Sequence, residues 1–198
     1  MSLPSLALPP EIQRVATLLR DLRAPWAIAG GWALDLALGR VTRPHADVDV
    51  AVFRDDQDAV RGALPGWRFE AAVRGALVPW EPGVRLELPV HEVHIWPPSG
   101  SPIELLLNER EDADWVYRRD PAVRLPLALA LREVAGGVWV LAPEVVLLYK
   151  SRAPRPTDEA DFHAAQPALG GAARAWLREA LLRGAPEHPW ALALATDA

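Results

Sequence analysis

Apolar side chains recur at helical spacing between Glu11 and Leu22, where Ile12, Val15, Leu18, Leu19 and Leu22 fall on one face behind Pro9-Pro10. Glu11 stands in the first turn, where the helix end carries partial positive charge, so the pattern predicts an amphipathic helix. A short apolar run, Trp26 to Ala29, ends at Gly30-Gly31, and Trp32 to Leu38 then reads as a second helix stopped by Gly39. From Asp47 to Phe53 the pattern alternates. Val48, Val50 and Val52 share one face, and Asp47, Asp49 and Ala51 the other, as in a half-buried strand. Asp55 to Leu64 has helical spacing. Short strands bounded by Pro and Gly are expected at Trp67 to Val73, Val84 to Leu88, Glu92 to Trp96 and Ile103 to Leu107. Trp115 to Arg118 and Val138 to Leu141 read as edge strands. Pro143 to Ser151, Asp158 to Ala165 and Ala172 to Leu182 read as helices. The expected architecture is α+β, a mid-chain sheet followed by a helical C-terminal quarter. No internal repeat or Gly/Ser-rich linker divides it. The best boundary falls near Ala142, giving a core over residues 1–142 and a helical region over 143–198 packed on that core.

Composition narrows this picture. The chain has 198 residues, enough for one domain or one domain with a small appendage, and its 51% hydrophobic and 24% charged content is that of a globular protein. A net charge of −5 leaves no global basic field, which argues against nucleic acid or an anionic membrane as partner, so any phosphate must be held locally. No apolar stretch approaches the roughly 18–20 residues of a membrane span. The proline-studded start, with Arg14 as its first basic residue, does not resemble a secretory leader. Zero cysteines rule out disulfide and thiolate chemistry and agree with the expected cytoplasmic location. The 20 prolines, about twice the usual ~5% share, favour short elements. Of 21 basic side chains only Lys150 is a lysine, which singles it out in an otherwise arginine-only chain.

Two features carry chemistry. Glycines between a strand and a helix let backbone N–H groups approach an anion at the helix N-terminus, and Gly30-Gly31 are so placed. Asp47 and Asp49, two apart on a strand, project from one face and can converge on a divalent cation, whose hardness suits carboxylate oxygens. Either feature alone is commonplace, a tight turn or solvated acids; together they bring a phosphate cradle and metal ligands to one spot.

The run Gly30-Gly31-Trp32-Ala33-Leu34-Asp35, then Gly39-Arg40-Val41-Thr42-Arg43, then His45 and Asp47-Val48-Asp49, resembles the nucleotidyltransferase superfamily, most of all the aminoglycoside (2''-type) and lincosamide nucleotidyltransferases. The close match covers these 20 residues. What the resemblance implies is a mixed sheet flanked by helices and transfer of a nucleoside monophosphate, AMP from ATP, to a hydroxyl of a small molecule, with release of pyrophosphate. It also implies Mg2+ held by Asp47, Asp49 and a third acid that completes the site or acts as general base. Glu104, which interrupts the apolar run Ile103 to Leu107, is the preferred third acid because an unpaired acid there is costly; Glu87 and Glu92 compete. Gly30, Gly31, Arg40, Arg43 and Lys150 are the expected nucleotide contacts, with Lys150 offering a compact charge that guanidinium does not mimic. Asp35 could pair with Arg43. His45 is a poor Mg2+ ligand beside oxygen donors. His91 and His94, three apart on a strand, face opposite sides and read as ordinary strand residues. Of the nine tryptophans, only Trp32 and Trp96 fall near the expected cleft. Thr157 stands where relatives often carry a basic residue, which leaves that position without a phosphate role. Two further readings stay open: a toxin-type enzyme that modifies protein or RNA, and a nucleotide-binding module without turnover. The acceptor, the preferred base and the oligomeric state are not specified by the sequence.

Overall fold

The computed structural model describes residues 7–195. In chain order, α1 (Pro10–Leu18), β1 (Trp26–Ile28), α2 (Gly30–Leu38), β2 (Asp49–Phe53) and α3 (Gln57–Ala63) are followed by three further strands, β3 (Arg68–Val73), β4 (Ala76–Pro79) and β5 (Glu92–Trp96). Then come β6 (Ile103–Glu111), β7 (Asp114–Val116), β8 (Arg124–Pro126), α4 (Leu127–Ala130), β9 (Leu131–Val134) and β10 (Val138–Leu141). The chain finishes with α5 (Pro143–Lys150), α6 (Pro156–Ala165), α7 (Gly171–Gly184) and α8 (Pro189–Ala193). None of these helices is long and apolar enough to cross a membrane.

The strands form one mixed sheet in the order β4-β3-β5-β6-β2-β1-β10-β9, with β7 and β8 continuing from the far end of β6. β2 pairs in parallel with β6 and β1 with β10, while the other pairings are antiparallel. A single apolar core runs through sheet and helices. Val50 and Val52 of β2, Leu105 and Leu107 of β6, and Val145 and Leu147 of α5 all belong to it. α2 packs against α5 and α6, so the C-terminal helices cover the mouth of the glycine turn.

Most expected elements form, and the departures have identifiable causes. Val84 to Leu88, expected as a strand, is irregular. Its backbone is bound by side chains instead of a ladder: the Leu86 N–H donates to Gln57 Oε1 (2.7 Å), and the Leu86 carbonyl accepts from Arg54 Nη1 (3.0 Å). Buried Arg54 serves as a hub there, reaching the Val90 carbonyl (2.8 Å) and the Glu109 carboxylate (2.7 Å) as well. Val138 to Leu141 is a strand but not an edge, because β9 covers its outer side. β4, β8, β9, α4 and α8 are additions that the hydrophobic pattern did not predict. Asp47 lies just before β2, not within it.

Candidate functional site

Gly30 opens α2 with φ +59°, a left-handed conformation that only glycine adopts cheaply. A Cβ built there would lie 1.8 Å from Asp49 Oδ2, so the Asp49 carboxyl occupies the space the missing side chain leaves. At Gly31 a Cβ would meet His45 Cε1 at 2.5 Å and Arg43 Nη2 at 2.6 Å. The glycine turn is therefore the floor on which the loop before β2 and the first acid of β2 are laid down. Gly30 and Asp49 line one cavity, while Asp47 and Glu104 lie outside its wall.

Across the sheet, Asp49 of β2 is in register with Glu104 of β6, Glu104 with His94 of β5, and His94 with Glu70 of β3. Directly opposed residues project from the same face, so these four side chains form a row across four strands. Asp47 precedes the row as an exposed residue. Burial, together with the charges of Glu104 and Asp47, pushes the Asp49 carboxyl up to about 7. Burial and Asp47 likewise raise Glu104, while His94 pulls it down. Three carboxylates crowd together here, and the charge of Lys150 counteracts the rise at Asp49. Among the described residues, Glu92, His94 and Glu104 also present ligand-type atoms within 4.8 Å of one another. His94 Nε2 lies 2.9 Å from Glu92 Oε1, and its Nδ1 lies 4.0 Å from Glu104 Oε1. Glu92 thus stands beside Glu104. Glu87 is exposed and paired to Arg85 away from this cluster (3.0 Å).

The loop between α2 and β2 is fastened from two sides. Asp35, buried on α2, accepts from Thr42 Oγ1 and lies 2.6 Å from His45 Nε2. Trp32 packs against the same imidazole at a tilt of 36°, with ring centroids 4.4 Å apart. Arg43 does not pair with Asp35, as expected from sequence, but with Asp161 of α6 through two hydrogen bonds of 2.8 and 2.9 Å. Asp161 also accepts the Lys150 ammonium (3.0 Å), and Lys150 reaches Asp158 at 2.7 Å. Burial works against ionising Asp161, yet the Arg43 and Lys150 hydrogen bonds hold its carboxyl below the usual range. The lone lysine is thus fixed by two acids of α6, one of which grips the loop before β2. Arg40 and Thr157 are exposed.

A cavity of about 460 Å³ opens between the glycine turn, the β2 and β6 ends and α5. Gly30, Asp49, Glu92 and Lys150 line it at one end. Leu106, Leu107, Leu141 and Val146 supply apolar wall, and His91, which lies just before β5, also faces in. Neither Trp32 nor Trp96 lines it. Trp32 is buried against His45, and Trp96 donates to Glu70 Oε2 (2.9 Å) under the Arg68 guanidinium. Arg118, Arg119, Arg152 and Arg155 also line the cavity, and sequence reasoning gave none of them a role. The signal available was the run Arg118-Arg119 after a strand, which in a chain so rich in arginine does not stand out.

A model of the family described as aminoglycoside-2''-adenylyltransferase matches residues 11–80, a segment that contains both the Gly30-Gly31-Trp32 and the Asp47-Val48-Asp49 motifs. Among solved structures, the chain is similar to ANT(2'')-Ia in complex with adenylyl-2''-tobramycin at 19% identity and TM-score 0.60, over 88% of this chain and 97% of that one. The solution structure of the antibiotic-resistance factor ANT(2'')-Ia gives 20% identity and TM-score 0.59, over 89% and 93%. The lincosamide antibiotic adenylyltransferase LnuA, lincomycin-bound, gives 16% and 0.57, over 82% and 98%. No match was found among curated proteins. At these identities the likeness shows the fold, and the expected α+β nucleotidyltransferase-like architecture is borne out, as is the resemblance to the 2''-type and lincosamide enzymes.

Proposed function

We propose that this chain is a nucleotidyltransferase that moves AMP from ATP to a hydroxyl of a small molecule of aminoglycoside-like or lincosamide-like kind, releasing pyrophosphate. The observation that carries the reading is the seating of Asp49 on Gly30, in register with Glu104, at the end of a cavity that also holds Lys150. The adenylyl-2''-tobramycin bound to ANT(2'')-Ia, and the lincomycin bound to the lincosamide adenylyltransferase LnuA, support the transfer and the acceptor class. Asp47, Asp49 and Glu104 are the proposed Mg2+ ligands. The fit rests on the donor set: hard oxygen atoms, crowded enough that Asp49 resists ionising when no cation is near. The ion would neutralise charge developing on the transferred group.

The chain's own side chains do the rest. The acceptor oxygen attacks the α-phosphorus, the bond to the bridging oxygen breaks, and pyrophosphate leaves. Glu104 is placed to take the hydroxyl proton, since it faces the half-exposed side of the sheet beside His94. Gly30 and Gly31 offer backbone N–H groups at the start of α2, and Lys150 adds a charge held in place by Asp158 and Asp161. Arg43 acts by fixing the loop through Asp161, with Arg40 exposed beside it. Residues 143–198 are the proposed helical region that completes the site, since α5 carries Lys150 and α6 carries Asp161.

The test is pyrophosphate release with MgATP and a panel of aminoglycosides and lincosamides. Release that depends on an acceptor, and that Asp47→Asn with Asp49→Asn abolishes in folded protein, is the expected result. Turnover persisting in that double variant rejects the metal assignment, and ATP binding without release under any acceptor favours a non-catalytic module.

A further inference from the structure

Five cationic side chains face the cavity, and they divide into two groups. Lys150 and Arg155 are committed: Lys150 to Asp158 and Asp161, Arg155 to Asp158 at 2.9 Å. Arg118, Arg119 and Arg152 have no carboxylate partner among the described residues. Arg118 lies 5.1 Å over the Tyr149 ring, and among the described residues neither it nor Arg152 has a side-chain hydrogen-bond partner. Arg119 donates only to neutral oxygens, the Tyr149 carbonyl and the Tyr117 hydroxyl, both at 3.3 Å. The acid whose charge Arg118 feels, Glu109, is already taken by Arg54 at 2.7 Å. Burial and the neighbouring Arg119 lower the affinity of Arg118 for its proton, as expected of a cation set into a wall without a counter-charge.

Arg118 is half-buried, and a half-buried guanidinium without an acid is costly unless an anion arrives to meet it; the exposed Arg119 and Arg152 line the same cavity beside it. The cavity offers such an anion a route. Glu104 is not part of its wall, so an acceptor approaching Glu104 from the half-exposed face of the sheet leaves the cavity to the nucleotide. The pole at Gly30, Asp49 and Lys150 can hold only part of a triphosphate, because two acids already share that lysine.

We propose that Arg118, Arg119 and Arg152 form an oxyanion subsite that grips the β- and γ-phosphates of the nucleotide and retains the pyrophosphate after transfer. The inference rests on the nucleotidyltransferase reading and adds three contacts to it. The planar forks of arginine suit a phosphate pair, and Arg119 is aimed by its two oxygen partners. A polycation would be repelled from the same wall, which fits a cavity reserved for the nucleotide.

The experiment is calorimetric titration of pyrophosphate, ATP and AMP, each with Mg2+, into the full chain and into Arg118→Gln, Arg118→Lys and Arg152→Gln. In Arg118→Gln, pyrophosphate and ATP should bind about ten- to hundredfold more weakly, the loss of one or more charge-assisted hydrogen bonds, while AMP stays within about twofold. Arg118→Lys should restore part of the loss, since it returns the charge without the fork. Arg152→Gln alters an exposed residue and should weaken the same two ligands in protein of unchanged melting temperature. AMP weakened as much as ATP would overturn the subsite, since the arginines would then be holding the nucleoside. Unchanged pyrophosphate affinity in both Gln variants, or wild-type protein that binds no pyrophosphate, would overturn it as well. Wild-type protein that binds pyrophosphate but not ATP, and loses it in Arg118→Gln, would keep the subsite and defeat the nucleotide reading.

Discussion

The Asp49 carboxylate lies where a side chain on Gly30 would have to sit, with its Oδ2 only 1.8 Å from that position. Gly30→Ala therefore strains the chain twice. It forces an L side chain into φ +59°, costing about 1–2 kcal/mol, and it pushes Asp49 off the turn. A lowered melting temperature together with loss of pyrophosphate release is expected. A Gly30→Ala protein with full turnover would show that Asp49 does not depend on this seat.

Asp49 sets a pH dependence for the metal-free protein. Its carboxyl titrates at about 7 in the folded chain against 3.8 in the unfolded chain, so folding favours the protonated form. The resulting penalty is absent below about pH 4, grows as pH rises, and is complete above about pH 7, on the order of a few kcal/mol. In EDTA, Asp49→Asn should unfold at higher temperature than wild type at pH 8 and at nearly the same temperature at pH 4. Thermal melts at the two pH values decide it.

Asp161 joins the loop before β2 to the helix that carries Lys150. Asp161→Asn leaves Arg43 and Lys150 without that shared acid. Because Arg43 is partly exposed, the loss is expected at about 2–3 kcal/mol, below the 3–5 typical of fully buried pairs. The depressed titration of Asp161 means this support is fully present above about pH 4 and fades as pH falls further. Urea unfolding should show the deficit at pH 7 and a smaller one below pH 4, with a weaker apparent affinity for ATP at neutral pH.

The third acid can be separated from its competitors by position. Glu104→Gln should lower turnover by at least about a hundredfold with ATP binding retained, as for a lost general base. Glu87→Gln, exposed and tied to Arg85, should leave turnover within about twofold. Steady-state rates for Glu92→Gln complete the comparison, since Glu92 reaches the row through His94 and is expected to lower turnover less than Glu104→Gln does.

Local pattern reveals which residues share a face, and that is why the glycine turn, Asp49 on β2 and Glu104 on β6 are readable from sequence, whereas Asp47 falls just before the strand that the alternation predicts for it. It says little about what arrives from elsewhere in the chain. Asp35 was the nearer acid to Arg43 in sequence, yet Asp161 takes the guanidinium because α6 packs against α2. Val84 to Leu88 has strand-like alternation, but Gln57 and Arg54 claim its backbone before any neighbour can. Arg118 and Arg152 look like ordinary surface arginines until the fold places both on one cavity wall. Periodicity also passes over short strands such as β9, which exists because β10 needs a neighbour on its outer side.

The parallel pairing of β2 with β6 has a further consequence, because parallel neighbours need a crossover connection, and here it is a long one through α3 and then β3, β4 and β5 of the same sheet. As the protein emerges from the ribosome, the first acid is made long before its partner strand, and closing so wide an excursion is among the slower steps a small domain can take. The pairing of Asp49 with Glu104 therefore has to wait for that strand to dock, and the acidic row across the sheet matures late in biosynthesis.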